Sequence, residues 1–293
     1  MYGVQKLKSF INNSPLRKAI YKHISPVITD VSLRDGLQGL SPETINLSEK
    51  ISILIDNSLT QENEKQEPRN YLGASRLGVS CSRALQFEYT NTPKDEDQNF
   101  TGKTLRIFQA GHVFEELAIK WLRQAGFDLV TEKKDGSQFG FSALNGKIKG
   151  HVDGVIIDVP KELKSDLNLT FPMLWECKSL NNKSFNDTVK KGLAVSKPIY
   201  AAQIAIYQAY MESNIDGISK NPTLFTAINK DTAELYFELI KFDQALAQKL
   251  SDKAVRIITS VQAGELLPRI SSDSSYFECK FCPWQERCFN LKF

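Results

Sequence analysis

The sequence lacks long uninterrupted apolar runs and has almost no excess of either charge. No run approaches the ~18 residues that a helix needs to cross a membrane, so no membrane span is predicted. The formal charge of +3 over 293 residues is nearly balanced. It neither requires nor excludes a nucleic-acid partner, because a basic groove can coexist with an acidic site. The sequence also has no internal repeat, and its 41% hydrophobic content is typical of a globular protein.

Cysteine is scarce, and its number is odd. The five cysteines cannot all pair with one another, and residues 1–23 lack the apolar core and cleavage site of a secretion signal. A cytoplasmic location is therefore expected, where clustered cysteines are more often metal ligands than disulfides. Cys279, Cys282 and Cys288 lie close together near the end of the sequence. They supply three ligands, and a structural metal site normally takes four.

The hydrophobic pattern predicts one main α/β domain with an appended segment. We interpret residues 1–59 as the appended segment, 60–70 as a polar linker and 71–293 as the main domain. In the main domain the patterns give a helix, three strands, a helix, two strands and a helix, and residues 147–159 form one of these strands. This order predicts a mixed sheet flanked by helices.

Two short stretches carry the candidate chemistry, GHVDGV at 150–155 and WECKS at 175–179. Asp153 and Glu176 each lie near the end of a predicted strand, and Glu176 and Lys178 are two residues apart, so their side chains share a face. Two carboxylates at one point suit Mg²⁺ or Mn²⁺. A lysine beside them suits phosphodiester hydrolysis, where charge develops on phosphorus. Separately, each pattern is more often structural, an ion pair on a strand or a turn; their order and spacing favour a site.

Asp153 followed by Glu176-x-Lys178 resembles the core of the PD-(D/E)XK nucleases. The helix that follows contains Gln203-x-x-x-Tyr207, which is similar to the Q-x-x-x-Y motif of RecB-type exonucleases. The resemblance implies a restriction-endonuclease-like core. It also implies that Gln203 and Tyr207 face the active site and hold the DNA backbone or the lysine. The pattern alone also allows Tyr207 to belong to an aromatic core stripe with Tyr200 and Tyr210.

The family also carries an acidic residue or histidine on its first core helix, which completes the metal site. The matching residues here are Gly111-His112-x-x-Glu115. The resemblance implies that Glu115 joins Asp153 and Glu176 as a metal ligand. It implies that His112 is a further ligand or a contact of the scissile phosphate. We expect His151 to point to the opposite face of its strand from Asp153, and to pack there.

Cys81, together with the three C-terminal cysteines, resembles the ligand set of iron–sulfur nucleases. These include CRISPR-associated RecB-like exonucleases and AddB-type nuclease domains. The resemblance implies a 4Fe–4S cluster held by Cys81, Cys279, Cys282 and Cys288, which would staple the C-terminus to the start of the core. Structural Zn²⁺ is the alternative on ligand type alone, and a disulfide is less favoured. Cys177, between Glu176 and Lys178, is expected to face the packed side of its strand.

The resemblance implies a Mg²⁺- or Mn²⁺-dependent DNA exonuclease that acts on single-stranded ends in recombination, repair or replication. A phage-encoded origin is compatible with it. Basic residues such as Arg83 and Lys191 are candidates for a groove that follows the phosphates, although a solvated surface is the ordinary role of any one of them. The alternative is a nucleic-acid-binding subunit that retains the fold and does not cut. The sequence names no protein partner.

Residues 28–59 resemble the opening strand and helix of lyases such as hydroxymethylglutaryl-CoA lyase. In that family the Arg34–Asp35 pair would belong to the metal site. The lyase fold is a complete barrel of ~250 residues, and only one of its units is recognisable here. We therefore expect no lyase activity.

Overall fold

The computed structural model describes residues 42–291. The Arg34–Asp35 pair of the lyase-like segment lies outside the described residues. The chain divides into two compact units, residues 1–54 and 55–293, and the features below belong to the second. Helix α1 (Pro42–Glu64) crosses this division. Residues 60–64, predicted as the start of a linker, form the last turn of α1, because a polar sequence without Gly or Pro suits an exposed helix as well as a loop.

The remaining elements of the described chain are eight strands, nine α-helices and one 3₁₀ turn, with strands and helices interspersed along the sequence. Their bounds are β1 (Leu72–Gly73), a 3₁₀ turn (Ala74–Arg76), α2 (Ser82–Tyr89), α3 (Gly102–Gln124), β2 (Asp128–Val130), β3 (Gly140–Ala143), β4 (Ile148–His151), β5 (Gly154–Asp158), α4 (Lys161–Leu167), β6 (Met173–Leu180), α5 (Asn182–Lys191), α6 (Leu193–Ser196), α7 (Pro198–Met211), β7 (Thr223–Asn229), β8 (Leu235–Ile240), α8 (Gln244–Gln262), α9 (Phe277–Lys280) and α10 (Gln285–Asn290). Within residues 42–291, no helix combines the length and apolarity that spanning a bilayer requires.

The strands form two sheets, a five-stranded sheet of order β2-β5-β6-β7-β8 and a three-stranded sheet of order β1-β4-β3. In the larger sheet β6 and β7 are parallel, whereas the other neighbours are antiparallel. The predicted mixed sheet with flanking helices is therefore confirmed. The smaller sheet was not predicted.

The predicted single strand over residues 147–159 is wrong, because this run is divided between the two sheets. The N–H of Val152 donates to the carbonyl of Phe139 at 3.0 Å, which continues the pairing of β4 in the smaller sheet. Two residues later Gly154 pairs with Trp175 in the larger sheet. The backbone therefore changes partner at Asp153. The sequence has no proline there to indicate the change, and its apolar residues continue on both sides.

Strand β6 lies in the middle of the larger sheet, and its two faces pack against different helices. Trp175 and Cys177 belong to a buried cluster with Ala118 and Leu122 of α3. The Trp175 indole N–H donates to Thr226 Oγ1 at 2.9 Å, which satisfies this buried polar group. The prediction that Cys177 faces the packed side agrees with this position. Glu176 and Lys178 consequently leave the strand on the side of α7.

The C-terminal segment is held against the loop after α2 by hydrogen bonds centred on Asp95. The Asp95 carboxylate accepts from the N–H groups of Glu286 at 2.7 Å and Arg287 at 3.1 Å. The Asp95 N–H donates to the Pro283 carbonyl at 2.9 Å. The Trp284 indole donates to the Thr92 carbonyl, also at 2.9 Å. Segments nearly two hundred residues apart in sequence are therefore joined by several directed contacts.

Replacing Asp95 by alanine should lower the free energy of unfolding by about 1–3 kcal/mol, because it leaves two N–H donors of α10 without their charged acceptor. Asp95→Asn keeps an acceptor oxygen and should lose less. Chemical denaturation of the two variants and the wild type measures both values. Equal stability of Asp95→Ala and the wild type would contradict a role of this carboxylate in holding the C-terminus.

Candidate active site

Asp153 and Glu176 are brought together by the pairing of β5 with β6. The antiparallel register joins Gly154 to Trp175, which places the preceding Asp153 opposite Glu176. The Cys177 N–H donates to Asp153 Oδ2 at 2.9 Å, so the backbone of β6 itself fixes the position of this carboxylate. The relative position of the two acidic side chains is therefore set by main-chain hydrogen bonding.

Lys178 supplies the positive charge beside this carboxylate pair. Its ammonium donates to Glu176 Oε1 and, at 3.1 Å, to the Cys177 carbonyl. It also lies 3.8 Å from Asp153 Oδ2. Burial lowers the pKa of Lys178, but the charges of Glu176 and Asp153 outweigh this effect and raise it above its ordinary value. Lys178 therefore stays charged and in contact with both carboxylates.

Gln203 contacts Glu176 from the neighbouring helix α7, whereas the resemblance implied a contact with the DNA backbone or the lysine. Its Nε2 donates to Glu176 Oε1 at 2.6 Å. Glu176 is 0% exposed, and its second oxygen, Oε2, is buried without a hydrogen-bond partner in the described part of the chain. A buried carboxylate oxygen is costly to leave unpartnered. Oε2 is therefore the atom at which a cation would be most strongly stabilised.

Tyr200 belongs to the site and was missed as a functional candidate. Its ring centroid lies 5.6 Å from Lys178 Nζ, a distance at which the ring attracts a cation. Tyr200 precedes Gln203 by three residues, so both lie on one face of α7. That spacing was readable in the sequence, where Tyr200 was assigned to the aromatic core.

Glu115 approaches the carboxylate pair from helix α3. A methyl group at Gly111 would lie 3.7 Å from Ser179 Oγ, so α3 passes close to β6 one turn before Glu115. Burial and the charge of Asp153 raise the pKa of Glu115 to about 7. Burial and the charge of Asp153 likewise raise the pKa of Glu176, to about 8. Each carboxyl is thus destabilised in its charged form by its neighbours, as expected where acidic groups are gathered for a cation.

Two other predicted site residues, Tyr207 and His112, differ in burial. Tyr207 is 4% exposed, and its ring packs edge-on against Phe141 with 5.6 Å between centroids. The charges of Glu176 and Lys178 nevertheless affect its pKa, which burial raises, so Tyr207 is both a core residue and a neighbour of the site. His112 is exposed on α3.

His151 is the last residue of β4, and it is exposed. The chain bends at Asp153, where it passes from one sheet to the other. The alternation of β4 therefore does not extend to Asp153, and the opposite orientation of the two side chains stays a prediction.

Within residues 42–291, no three His, Cys, Asp or Glu side chains stand close enough together to hold a metal ion. Asp153 and Glu176 do converge, with Glu115 within electrostatic range of both. The oxygen donors suit a hard divalent cation, and the unpartnered Glu176 Oε2 provides the position. The donor set fits Mg²⁺ or Mn²⁺ without forming a complete cage.

The four cysteines predicted as ligands lie around one cavity of about 940 Å³. All four are free thiols. Burial raises the pKa of Cys279, and Cys81 and Cys288 raise it further, so these thiols are within electrostatic range of one another. Burial and the same two neighbours also raise the pKa of Cys282. The fold thus brings Cys81 to the same cavity as the three C-terminal thiols, although most of the domain sequence separates them.

Arg83 does not line a surface groove, contrary to expectation. It is 3% exposed, and its Nε donates to the Leu267 carbonyl at 2.5 Å. Its Nη1 lies 3.5 Å from Cys288 Sγ. Arg83 therefore lines the thiol cavity, with its guanidinium beside Cys288. Lys191 pairs with Asp187 at 2.6 Å on the surface.

No protein-family model matches the sequence, and no curated protein resembles it significantly. Among solved structures, an alkaline exonuclease from Laribacter hongkongensis is similar, with 16% identity and a TM-score of 0.44 over 67% of this chain and 90% of the other. A structure of that enzyme in complex with dAMP has 16% identity and a TM-score of 0.44, over 67% of this chain and 89% of the other. A candidate exonuclease from Eubacterium rectale has 16% identity and a TM-score of 0.31, over 76% of this chain and 78% of the other. These values describe a distant similarity of fold, and the function proposed next depends on the site itself.

Proposed function

We propose that this protein is a metal-dependent DNA nuclease that degrades single-stranded DNA from its ends. The observation that carries the proposal is the convergence of Asp153, Glu176 and Lys178 from two adjacent strands, with Glu176 Oε2 buried and unpartnered. Two carboxylates and a fixed ammonium are the groups that phosphodiester hydrolysis requires. A role in recombination, repair or replication belongs to the same proposal.

Asp153 and Glu176 would hold the cation, and Glu115 would support them from α3. When bound, Mg²⁺ or Mn²⁺ supplies a Lewis acid that lowers the pKa of water and neutralises developing charge. The raised pKa values of Glu115 and Glu176 fit this assignment, because a divalent cation would stabilise their charged forms.

The protein's own groups position and neutralise the reacting phosphate. The ammonium of Lys178 is charged and is held against Glu176 by direct contact, so it is oriented before substrate arrives. Gln203 holds the same carboxylate from α7 and limits its rotation. Tyr200 covers Lys178 on one side and reduces its access to water. We assign to Lys178 the stabilisation of negative charge on the phosphate and the orientation of the attacking water.

Glu176→Gln tests the metal assignment. The change keeps the size of the side chain but removes its charge, so we expect at least tenfold weaker Mn²⁺ binding by calorimetry and loss of Mn²⁺-dependent digestion of end-labelled single-stranded DNA. Asp158→Asn is the matched control, since Asp158 is an exposed carboxylate of the same strand pair that binds Lys164 at 2.8 Å. It should bind Mn²⁺ and digest DNA as the wild type does.

The preference for ends is tested with linear and circular single strands of equal length. Only the linear strand should disappear if digestion begins at ends. Digestion of both strands would indicate an endonuclease instead of an exonuclease. Digestion of neither strand, with intact DNA binding, would favour the non-cutting subunit. Normal digestion by Glu176→Gln would show that this carboxylate is not a metal ligand.

We also propose that Cys81, Cys279, Cys282 and Cys288 hold a 4Fe–4S cluster. Four cysteines around one cavity, with Arg83 beside Cys288, support this assignment. No three of these thiols are close enough to share a single ion in the described structure. Structural Zn²⁺ held by the same four thiols is the alternative on ligand type.

A further inference from the structure

The outer face of the three-stranded sheet carries an arrangement that the proposed catalytic site does not use. In β4, Ile148 and Gly150 are buried against the core, whereas Lys149 and His151 lie on the opposite, accessible face. Lys149 and His151 therefore leave β4 on one side. The chain bends at Asp153, where it passes into the larger sheet. Four extended residues span at most about 14 Å, so Lys149 lies within that distance of the candidate catalytic carboxylate along the backbone.

Two cations meet around one aromatic ring on this face. Lys149 Nζ lies 4.9 Å from the centroid of Tyr71, and the guanidinium carbon of Arg69 lies 5.9 Å from the same centroid. Gly73 is the registered neighbour of Lys149 in β1, and a methyl group there would make an ordinary contact of 3.7 Å with Arg69 Nη1. The guanidinium therefore lies beside the strand pair that carries Lys149.

These two positive charges have no carboxylate partner among residues 42–291, where the ion pairs are formed by other side chains. The nearby Arg76 differs, because Glu88 neutralises it at 3.1 Å. Holding two like charges beside one ring is unfavourable unless an anion joins them. The ring compensates in part through cation–π attraction. The arrangement therefore has the charge and the aromatic surface that single-stranded nucleic acid recognises.

We propose that Arg69, Tyr71 and Lys149 bind the backbone of single-stranded DNA and guide it to Asp153. Arg69 and Lys149 contact phosphates, and Tyr71 offers an aromatic face to a neighbouring base. Since Lys149 precedes Asp153 by only four residues, the strand passes His151 on its way to the carboxylates. This inference rests on the proposed nuclease function, for which it names the binding surface of the substrate.

The test measures binding of fluorescent oligothymidine to the full-length chain by anisotropy, in EDTA so that nothing is cut, over a range of salt concentrations. Each phosphate contact on a single strand contributes about 0.7 to the slope of log K against log salt. Lys149→Gln and Arg69→Gln should each reduce the slope by about 0.7, and the double variant by about 1.4. Tyr71→Ala should weaken binding by about fivefold or more, whereas Tyr71→Phe, which keeps the ring, should not.

Lys241→Gln is the control, because Lys241 is an exposed lysine just after edge strand β8 of the other sheet. Thermal melts establish that each variant is folded, and the two glutamine variants keep the test decisive if Tyr71→Ala is unstable. Slopes equal to that of Lys241→Gln would overturn the proposal. If the variants reduce the salt slope but the wild type never cuts DNA, this binding surface is supported and the nuclease function is refuted. If the slopes are unchanged and the wild type cuts DNA, only the binding surface is refuted.

Discussion

Lys178→Gln should lower the rate of DNA cleavage at least about a hundredfold, the usual cost of removing one group that stabilises developing charge. Glutamine keeps a donor near Glu176 but has no charge to place against the phosphate. It is preferable to alanine, because Glu176 is 0% exposed, and removing its partner entirely leaves a buried carboxylate uncompensated. Single-turnover digestion of end-labelled DNA at saturating Mn²⁺ measures the loss.

A matched control separates the role of Lys178 from a general loss of positive charge. Lys191→Gln removes an exposed lysine that pairs with Asp187 on α5, directly after the catalytic strand. It should cut at the wild-type rate. Calorimetry should show that Lys178→Gln still binds Mn²⁺, because the metal contacts are assigned to the carboxylates. Wild-type cleavage by Lys178→Gln would remove Lys178 from the mechanism.

Cys282→Ser should remove most of the iron from anaerobically purified protein and lower its melting temperature by about 10 °C. A covalent link that closes a long loop contributes about 5 kcal/mol, and 1 kcal/mol corresponds to about 2–4 °C in a chain of this size. The chain should still fold, because Asp95 and Trp284 continue to hold the C-terminal segment. Metal analysis, visible absorbance and calorimetric melting measure the three effects.

Cys177→Ala is the control for the thiol assignment. It removes the fifth cysteine, which is buried with Trp175 in the core, and should leave the iron content unchanged while lowering stability slightly. Zinc in place of iron in the wild type would favour the structural zinc site. Unchanged iron in Cys282→Ser would remove that residue from the ligand set.

The local part of the site was predictable from the sequence, because it depends on short spacings. The two-residue interval between Glu176 and Lys178 determines that they share a face of β6. The four-residue interval between Gln203 and Tyr207 places these two on one face of α7. The contact between Asp153 and the Cys177 N–H could not be predicted, since it depends on the register between strands with α4 between them. Tyr200 was missed because aromatic residues on a helix are typical of a core as well as a site.

The fold was predictable in its class and less so in its connections. Helices α3 and α8 are followed by Gly126 and Gly264, which have φ values of 91° and 68°, and glycine at such a position is a helix stop signal that the sequence shows. The only local signal for the division of residues 147–159 between two sheets is the turn-like GHVDGV pattern, because the apolar residues continue on both sides of it. The division results from competition between partners for the same backbone, with β3 on one side and β6 on the other.

The hydrogen bond from the Cys177 backbone to Asp153 makes the site independent of the connection between its two strands. Helix α4, which occupies that connection, has no buried residue, and the carboxylate is oriented by its neighbouring strand whatever the intervening chain does. Insertions among the exposed residues 164–168 would therefore lengthen the exterior of the molecule without moving its reactive groups, whereas Leu163, Leu169 and Phe171 pack against the core. This part of the chain is where evolution or an engineer could attach a further module while leaving the chemistry intact.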